Sequence, residues 1–205
     1  MMPAMSQPIY APDVAAFLAA LGEAGAITVA VMVSSVDGRA TVGDRVGELT
    51  GAADQELLLG VRELASAVVV GGRTVRAEGY ASLLGAQAQA RRRARGVAAE
   101  PELVVFTRAS PALPQLWREL RERHPSGLIV CEGGPTLLGL LVEHHLLDQL
   151  VLCLSPQIVA DDSQRRLLEQ HGPPHGVELG LLALAGADGF LFVRYGAGRS
   201  GPSRA

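Results

Sequence analysis

The sequence contains no lysine and no asparagine; all 18 residues of its Lys+Arg total are arginine. Without a lysine amine, a Walker-A phosphate loop, a protein-kinase site, a pyridoxal Schiff base and a lysine-dependent aldolase are excluded. Without asparagine there is no N-glycosylation acceptor. A G+C-rich coding sequence depletes both residue types and accounts for the pair of absences. Cysteine is scarce as well: Cys131 and Cys153 are too few for a disulfide framework and fit a reducing cytosol. No stretch approaches the ~20 apolar residues of a transmembrane helix. The opening MMPAMSQPIYAPD lacks a basic region followed by an apolar run, so no signal peptide is expected. A net charge of −3 gives no reason to expect nucleic acid as a partner. What remains is a chain of 205 residues, 48% hydrophobic, long enough for one α/β domain with a sizeable core. The expectation is a soluble, cytoplasmic, globular protein with no membrane partner.

The first eleven residues show no apolar periodicity and read as a loose arm. Residues 12–21 follow as a short helix with Pro12 near its first turn. ITVAVMVSSVDG (27–38) is apolar and β-branched almost throughout, the pattern of a strand buried on both faces. Residues 50–65 read as a helix starting at Thr50, with Leu57, Val61 and Leu64 at helical spacing. SAVVVGG (66–72) is a second buried strand. Further strands are expected at 102–108, 127–134 and 148–159, alternating with helices at 112–123 and 135–145. This alternation argues for a mostly parallel sheet covered on both faces. VELGLLALA and FLFVRYG flank the turn residues GADG (186–189) and read as an antiparallel hairpin at the sheet's edge. The tail GAGRSGPSRA reads as disordered.

In open α/β sheets ligands collect beyond the carboxyl ends of strands, where glycine-rich turns feed helix N-termini. VVVGGRT (68–74) offers Gly71 and Gly72 with Thr74 as a cap, and Arg73 or Arg76 adds charge. IVCEGGPTLLG (129–139) offers Glu132, Gly133, Gly134, Pro135 at the first helical position and Thr136. In VFTRAS (105–110), Thr107 and Arg108 leave a strand end and suit an adenosine phosphate. A single Gly-Gly turn also serves simply to reverse a chain. Two of them, with a Thr-Arg pair at a third strand end, favour a dinucleotide, although the G-x-G-x-x-G spacing is absent.

The order of VSSVDGRAT (33–41), VVVGGRTVRAEGY (68–80) and CEGGPTLLGLLVEHHLLDQLVLCLSP (131–156) resembles the reductase domain of the bifunctional riboflavin-biosynthesis deaminase/reductase, over roughly residues 27–195. The resemblance implies a dihydrofolate-reductase-like, three-layer α/β/α fold with a mostly parallel central sheet and an antiparallel C-terminal hairpin. Residues 25–196 form the reductase domain, after an arm and short helix (1–24) and before a tail (197–205). It implies a stand-alone, NADPH-dependent reductase of a ribosylamino-pyrimidine phosphate, with hydride passing to ribose C1′, and a homodimer. The family's deaminase half carries a zinc signature of the H-x-E…P-C-x-x-C type. This chain has none, so no metal is implied.

Carried over by position, Val33 and Ser34 lie along the nicotinamide. Gly72, Thr74 and Glu78 hold the cofactor from the second motif, and Thr107 with Arg108 holds the 2′-phosphate. Gly133, Gly134, Pro135, Thr136, Leu137 and Leu138 wrap the pyrophosphate. Glu132 acts on the pyrimidine N–H groups or an iminium, and Asp37 joins it at the catalytic centre. Arg39, Leu49 and Thr50 bind substrate. Where relatives have Asp-Asp-Pro, this chain has Glu78-Gly79-Tyr80, and some relatives carry lysine where Arg39 stands. Arginine keeps the charge but not the capacity to give up a proton, so Arg39 reads as an anchor.

Plainer readings compete. Asp37-Gly38 also reads as a simple turn, Cys131 as a core residue facing away from Glu132, and the arginines of 91–95 as a solvated helix face. Adjacent His144 and His145 point to different faces of a helix, against a shared ion with Glu143. A carboxylate such as Glu132 at the end of an apolar strand needs a partner or a ligand. Two other activities fit the motifs: a dihydrofolate-reductase-like reaction on a pterin, and a catalytically silent NADP-binding protein.

Overall fold

A computed structural model describes residues 9–42, 46–72, 74–75, 82–107, 109–168 and 176–198. The strands are β1 (Ile9–Tyr10), β2 (Thr28–Ser35), β3 (Ala67–Gly71), β4 (Glu102–Phe106), β5 (Ile129–Cys131), β6 (Gln149–Ser155), β7 (Leu179–Ala187) and β8 (Phe190–Ala197). The helices are α1 (Val14–Gly22), α2 (Ala52–Leu64), α3 (Ala86–Ala94), α4 (Leu113–Arg123) and α5 (Pro135–Glu143). All eight strands join one sheet in the order β1-β7-β8-β6-β2-β5-β3-β4. From β6 to β4 neighbours run parallel, while β8 is antiparallel to both β6 and β7. The mostly parallel sheet with an antiparallel C-terminal hairpin is the architecture the sequence leads one to expect.

The apolar runs locate the strands but overshoot them. The run at 27–38 yields a strand only to Ser35, because Gly38 turns back at φ 83° and donates its N–H to the Ser35 carbonyl. The run at 127–134 contributes three strand residues. The arm at the start ends as structure: Ile9–Tyr10 pair in parallel with β7, and Ala11 N–H donates to the Leu184 carbonyl at 2.8 Å. Helix α1 starts one residue after Pro12, at the cap Asp13, whose carboxylate accepts the Ala16 N–H at 2.8 Å. The hairpin turns on Asp188 and Gly189, both at positive φ (52° and 82°), the two-residue turn whose twist matches that of the strands.

Two cores sandwich the sheet. On one face α1 and α2 bring Phe17, Leu21, Leu57 and Val61 onto Val29, Val68, Val130, Val151 and Phe192. On the other, α4 and α5 bring Trp117, Leu120, Leu138 and Leu141 onto Ala30, Val69, Ile129, Cys131 and Leu150. Cys131 is therefore a core residue, and burial pushes its thiol up to about 12. The arginine cluster corrects its sequence reading in part. Arg91 lies on the surface against Glu63, but Arg92 is buried and donates to the carbonyls of Ala98, Glu63 and Ala65. It caps the end of α2 rather than facing solvent. The helical cover of the second face thins toward the hairpin. Tyr10, Leu184, Val193, Leu152 and Met32 stand in one cross-strand row there. Tyr10 and Leu191 on that side are 72% and 48% exposed.

Candidate active site

Strand β5 is shorter than its neighbours, and this shapes the site. Cys131, its last residue, pairs with Ala30 on β2 and Val69 on β3. Beyond that level β2 runs on through five more residues, paired with β6 on its other side through the Ser35–Ser155 register. Strand β3 likewise runs on to Gly71, paired with β4. A notch opens between β2 and β3, floored by the residues that follow β5. The partial exposure of Val31 and Val33 on an otherwise buried central strand reflects it.

Glu132 is the first residue in the notch. Its side chain is 5% exposed, and Arg62, from the last turn of α2, grips it with two charge-assisted bonds: Nε to Oε1 at 2.7 Å and Nη2 to Oε2 at 2.6 Å. The partner that a buried carboxylate needs is thus an arginine 70 residues upstream. Gly133 follows, where a Cβ would lie 2.3 Å from the Leu137 side chain, so only glycine fits. Gly134 caps α5 without a side-chain acceptor, with Pro135 opening the helix, and a Cβ there would meet nothing within 4 Å. Leu137 and Leu138 donate their N–H groups to the Gly134 carbonyl. Among the described residues the amides of Gly134 and Thr136 have no acceptor. Open space before a helix N-terminus with free amides fits a phosphate group.

A second cluster lies at the end of β2. Asp37 accepts the Ser35 hydroxyl at 2.6 Å and the N–H groups of Val159 and Ala160 at 3.1 and 2.9 Å. These three donors hold its carboxyl well below the usual aspartate range, so it is an ionised brace between two loops. Arg39 is buried, its guanidinium on the exposed Asp162, and its backbone forms a bridge with Arg166. Ala40 N–H donates to the Arg165 carbonyl, Arg165 N–H to the Thr41 hydroxyl, and the Arg165 guanidinium to Thr136 Oγ1 at 3.2 Å. The loop after β6 therefore ties the end of β2 to the first turn of α5.

The remaining expected residues divide. Val33 lines the notch, whereas Ser34 points to the other face, 1% exposed, its hydroxyl on the Ser35 carbonyl. Gly72 and Thr74 lie just past the end of β3 and are partly exposed. Thr107, past β4, is exposed and closes a turn with Ser110. Leu49 is wholly buried, and Leu137 and Leu138 are core side chains, so only the backbone of these three can meet a ligand. Thr50 does not cap α2. Its hydroxyl donates to the Gly47 carbonyl and Gly51 takes the cap position. Glu78, Arg108, Arg73 and Arg76 lie outside the described residues. No group of three potential metal ligands occurs among the described residues. No helix among them is long and apolar enough to cross a membrane.

Sequence reasoning missed Arg62, Arg165 and Asp54. Arg62 follows Val61 on the buried stripe of α2, so a charged residue on an apolar helix face was the available signal. Arg165 carried none, because its placement depends on how a loop crosses the sheet.

Comparison with known structures agrees with this architecture. A pyrimidine reductase-like protein from Corynebacterium diphtheriae superposes with a TM-score of 0.70 at 20% identity, over 89% of this chain and 95% of that one. RibD from Acinetobacter baumannii gives 0.67 at 17% identity over 84% of this chain, which spans 58% of that protein. The riboflavin biosynthesis reductase Rib7 of Saccharomyces cerevisiae gives 0.57 at 13% identity, over 84% of this chain and 90% of that one. Among the curated proteins compared, none matches the chain. The sequence profile of the RibD C-terminal domain matches residues 26–186, from just before β2 to near the end of β7, and the chain belongs to that family.

Proposed function

We propose that this protein is an NADPH-dependent reductase of a ribosylamino-pyrimidine phosphate in riboflavin biosynthesis. The observation that carries the reading is the notch beyond β5, where the Arg62–Glu132 pair adjoins the open Gly134 cradle within the matched family region. When bound, the cofactor supplies a hydride. The chain's own groups bind and orient. The amides of Gly134 and Thr136 and the α5 N-terminus hold the pyrophosphate, with Gly133, Pro135, Leu137 and Leu138 shaping the turn. Gly72, Thr74 and Glu78 hold the cofactor from the β3 side, and Thr107 with Arg108 takes the 2′-phosphate. Val33 lies against the nicotinamide, with Ser34 fixing the strand behind it. Glu132, oriented by Arg62, accepts the pyrimidine N–H groups.

Asp37 serves the catalytic centre by bracing the loop that carries Arg39, since an ionised carboxylate with three donors gives no proton. Arg39 anchors the substrate phosphate, and Leu49 and Thr50 shape the approach to it. The exposed apolar row on the hairpin side supports a homodimer, checked by sedentrifugation-independent mass determination in solution such as light scattering. The decisive test is loss of reduced-nicotinamide absorbance on mixing protein, NADPH and the ribosylamino-pyrimidine phosphate, with identification of the ribitylamino product. Turnover of dihydrofolate instead, or NADPH binding without turnover of either compound, would overturn the reading.

A further inference from the structure

Asp54 is a buried acid that the roles above leave unused. It is the third residue of α2, where a carboxylate usually reaches back to cap the helix. Here it turns onto the sheet: the residue is 6% exposed, and its carboxyl is hydrogen-bonded to the thiol of Cys153 on β6. The α2 macrodipole favours the anion at this position. Burial outweighs it and pushes the carboxyl above the usual aspartate range, and Cys153, itself pushed up, is the titratable group that faces it. A neutral thiol offers no charge to hold a proton off.

The position matters more than the burial. Cys153 pairs in register with Val33, and both side chains lie on the α2 face of the sheet. Val33 is the notch-lining residue two positions beyond Val31, past the end of β5. On α2 itself, Asp54 and Arg62 lie on one buried stripe with Leu57 and Val61. Eight residues separate them, about 12 Å along the axis at 1.5 Å per residue. Two carboxyls thus flank the notch from the same helix face: Glu132, locked by an arginine, and Asp54, beside a thiol. Environments that differ in this way separate an orienting carboxylate from a proton-bearing one.

We propose that Asp54 donates the proton that accompanies hydride addition, a role that rests on the reductase reading above. In the open-chain substrate, C1′ of the C1′=N bond accepts hydride from the reduced nicotinamide, and the π electron pair moves onto nitrogen. The O–H bond of Asp54 breaks as the new N–H bond forms. The product is a secondary amine with two hydrogens on C1′, and Asp54 is left a carboxylate that water reprotonates.

The test compares wild type with Asp54→Asn and Asp54→Glu. The first readout needs no substrate: the infrared difference between wild type and Asp54→Asn at neutral pH, with and without NADPH. A carbonyl band of a protonated carboxyl is expected, and its absence overturns the proposal. The second is single-turnover reduction. Asp54→Asn is expected to bind NADPH as wild type does and to lose about 10² to 10⁴-fold in the reduction rate. It should also lose the fall in rate that wild type shows as pH rises, and Asp54→Glu should restore part of both. An unchanged rate and pH profile in Asp54→Asn would assign the residue to structure alone and overturn the proposal. If wild type shows the band and binds NADPH yet reduces no ribosylamino-pyrimidine, the reductase reading falls and the donor role with it. The surviving band then marks the failure as one of substrate.

Discussion

Arg62 and Glu132 meet as a two-bond ion pair at the floor of the notch, one from the last turn of a helix and the other from the end of a three-residue strand. Side-chain exposures of 10% and 5% put both charges almost out of water. Removing either partner leaves the other buried and uncompensated, which typically costs about 3–5 kcal/mol. Arg62→Met is expected to destabilise the fold by that order in denaturant unfolding. Arg62→Lys keeps a charge but not the two-bond geometry, and should fall between. Glu132→Gln keeps the shape and is expected to lower kcat/KM far more than its loss of stability explains.

The two glycines after Glu132 predict opposite phenotypes. A methyl at Gly133 runs into Leu137, so Gly133→Ala is expected to lower stability by about 1–3 kcal/mol, read as a drop in Tm. A methyl at Gly134 meets only open space, so Gly134→Ala should leave Tm in place. It should nevertheless raise the Kd for NADPH, because the methyl occupies the room a phosphate needs. Equal Kd values for wild type and Gly134→Ala would remove the turn from the cofactor site.

Asp37 makes a pH prediction whose sign is fixed. Its folded-state value lies below the ordinary 3.8, so its stabilisation of the loops is complete above that value and fades as pH falls below it. The amides of Val159 and Ala160 report on it directly. Their hydrogen exchange at neutral pH should be faster in Asp37→Asn than in wild type, and the difference should shrink on strong acidification.

Arg39 and Asp162 form a contest that kinetics can read. The Arg39 guanidinium is 10% exposed and its carboxylate partner 90%, so a substrate phosphate competes with Asp162 for the same cation. Arg39→Ala is expected to raise the substrate KM more than it lowers kcat. Asp162→Ala frees the cation and should lower KM. If both variants raise KM equally, Arg39 acts through the loop and not through the substrate.

Much of this was legible in the sequence, and the boundary is a physical one. Strands buried on both faces write their position in continuous apolar runs, so β2, β3, β5 and β6 were all located. Their ends were not, because apolar residues such as Val36, 65% exposed, continue into the turns. The Gly133-Gly134-Pro135 turn was legible because its chemistry is local. Glu132 could be recognised as needing a partner, but Arg62 could not be chosen without knowing how α2 crosses the sheet. Asp37 was read as facing substrate because its three donors include two amides more than 120 residues away. Arg92 misled for the same reason: three arginines in a row look alike until a carbonyl-lined helix end claims one of them.

The shortness of β5 has a consequence for how such a site persists. A cleft made by ending one strand early is a property of the main chain, and its rims are the backbones of β2 and β3 rather than a set of side chains. Point substitutions can alter what the cleft prefers, but they do not close it. Closing it would take an insertion that lets β5 grow and zip the two rims together. Side chains around the opening are thereby free to drift, while the opening itself is inherited with the topology.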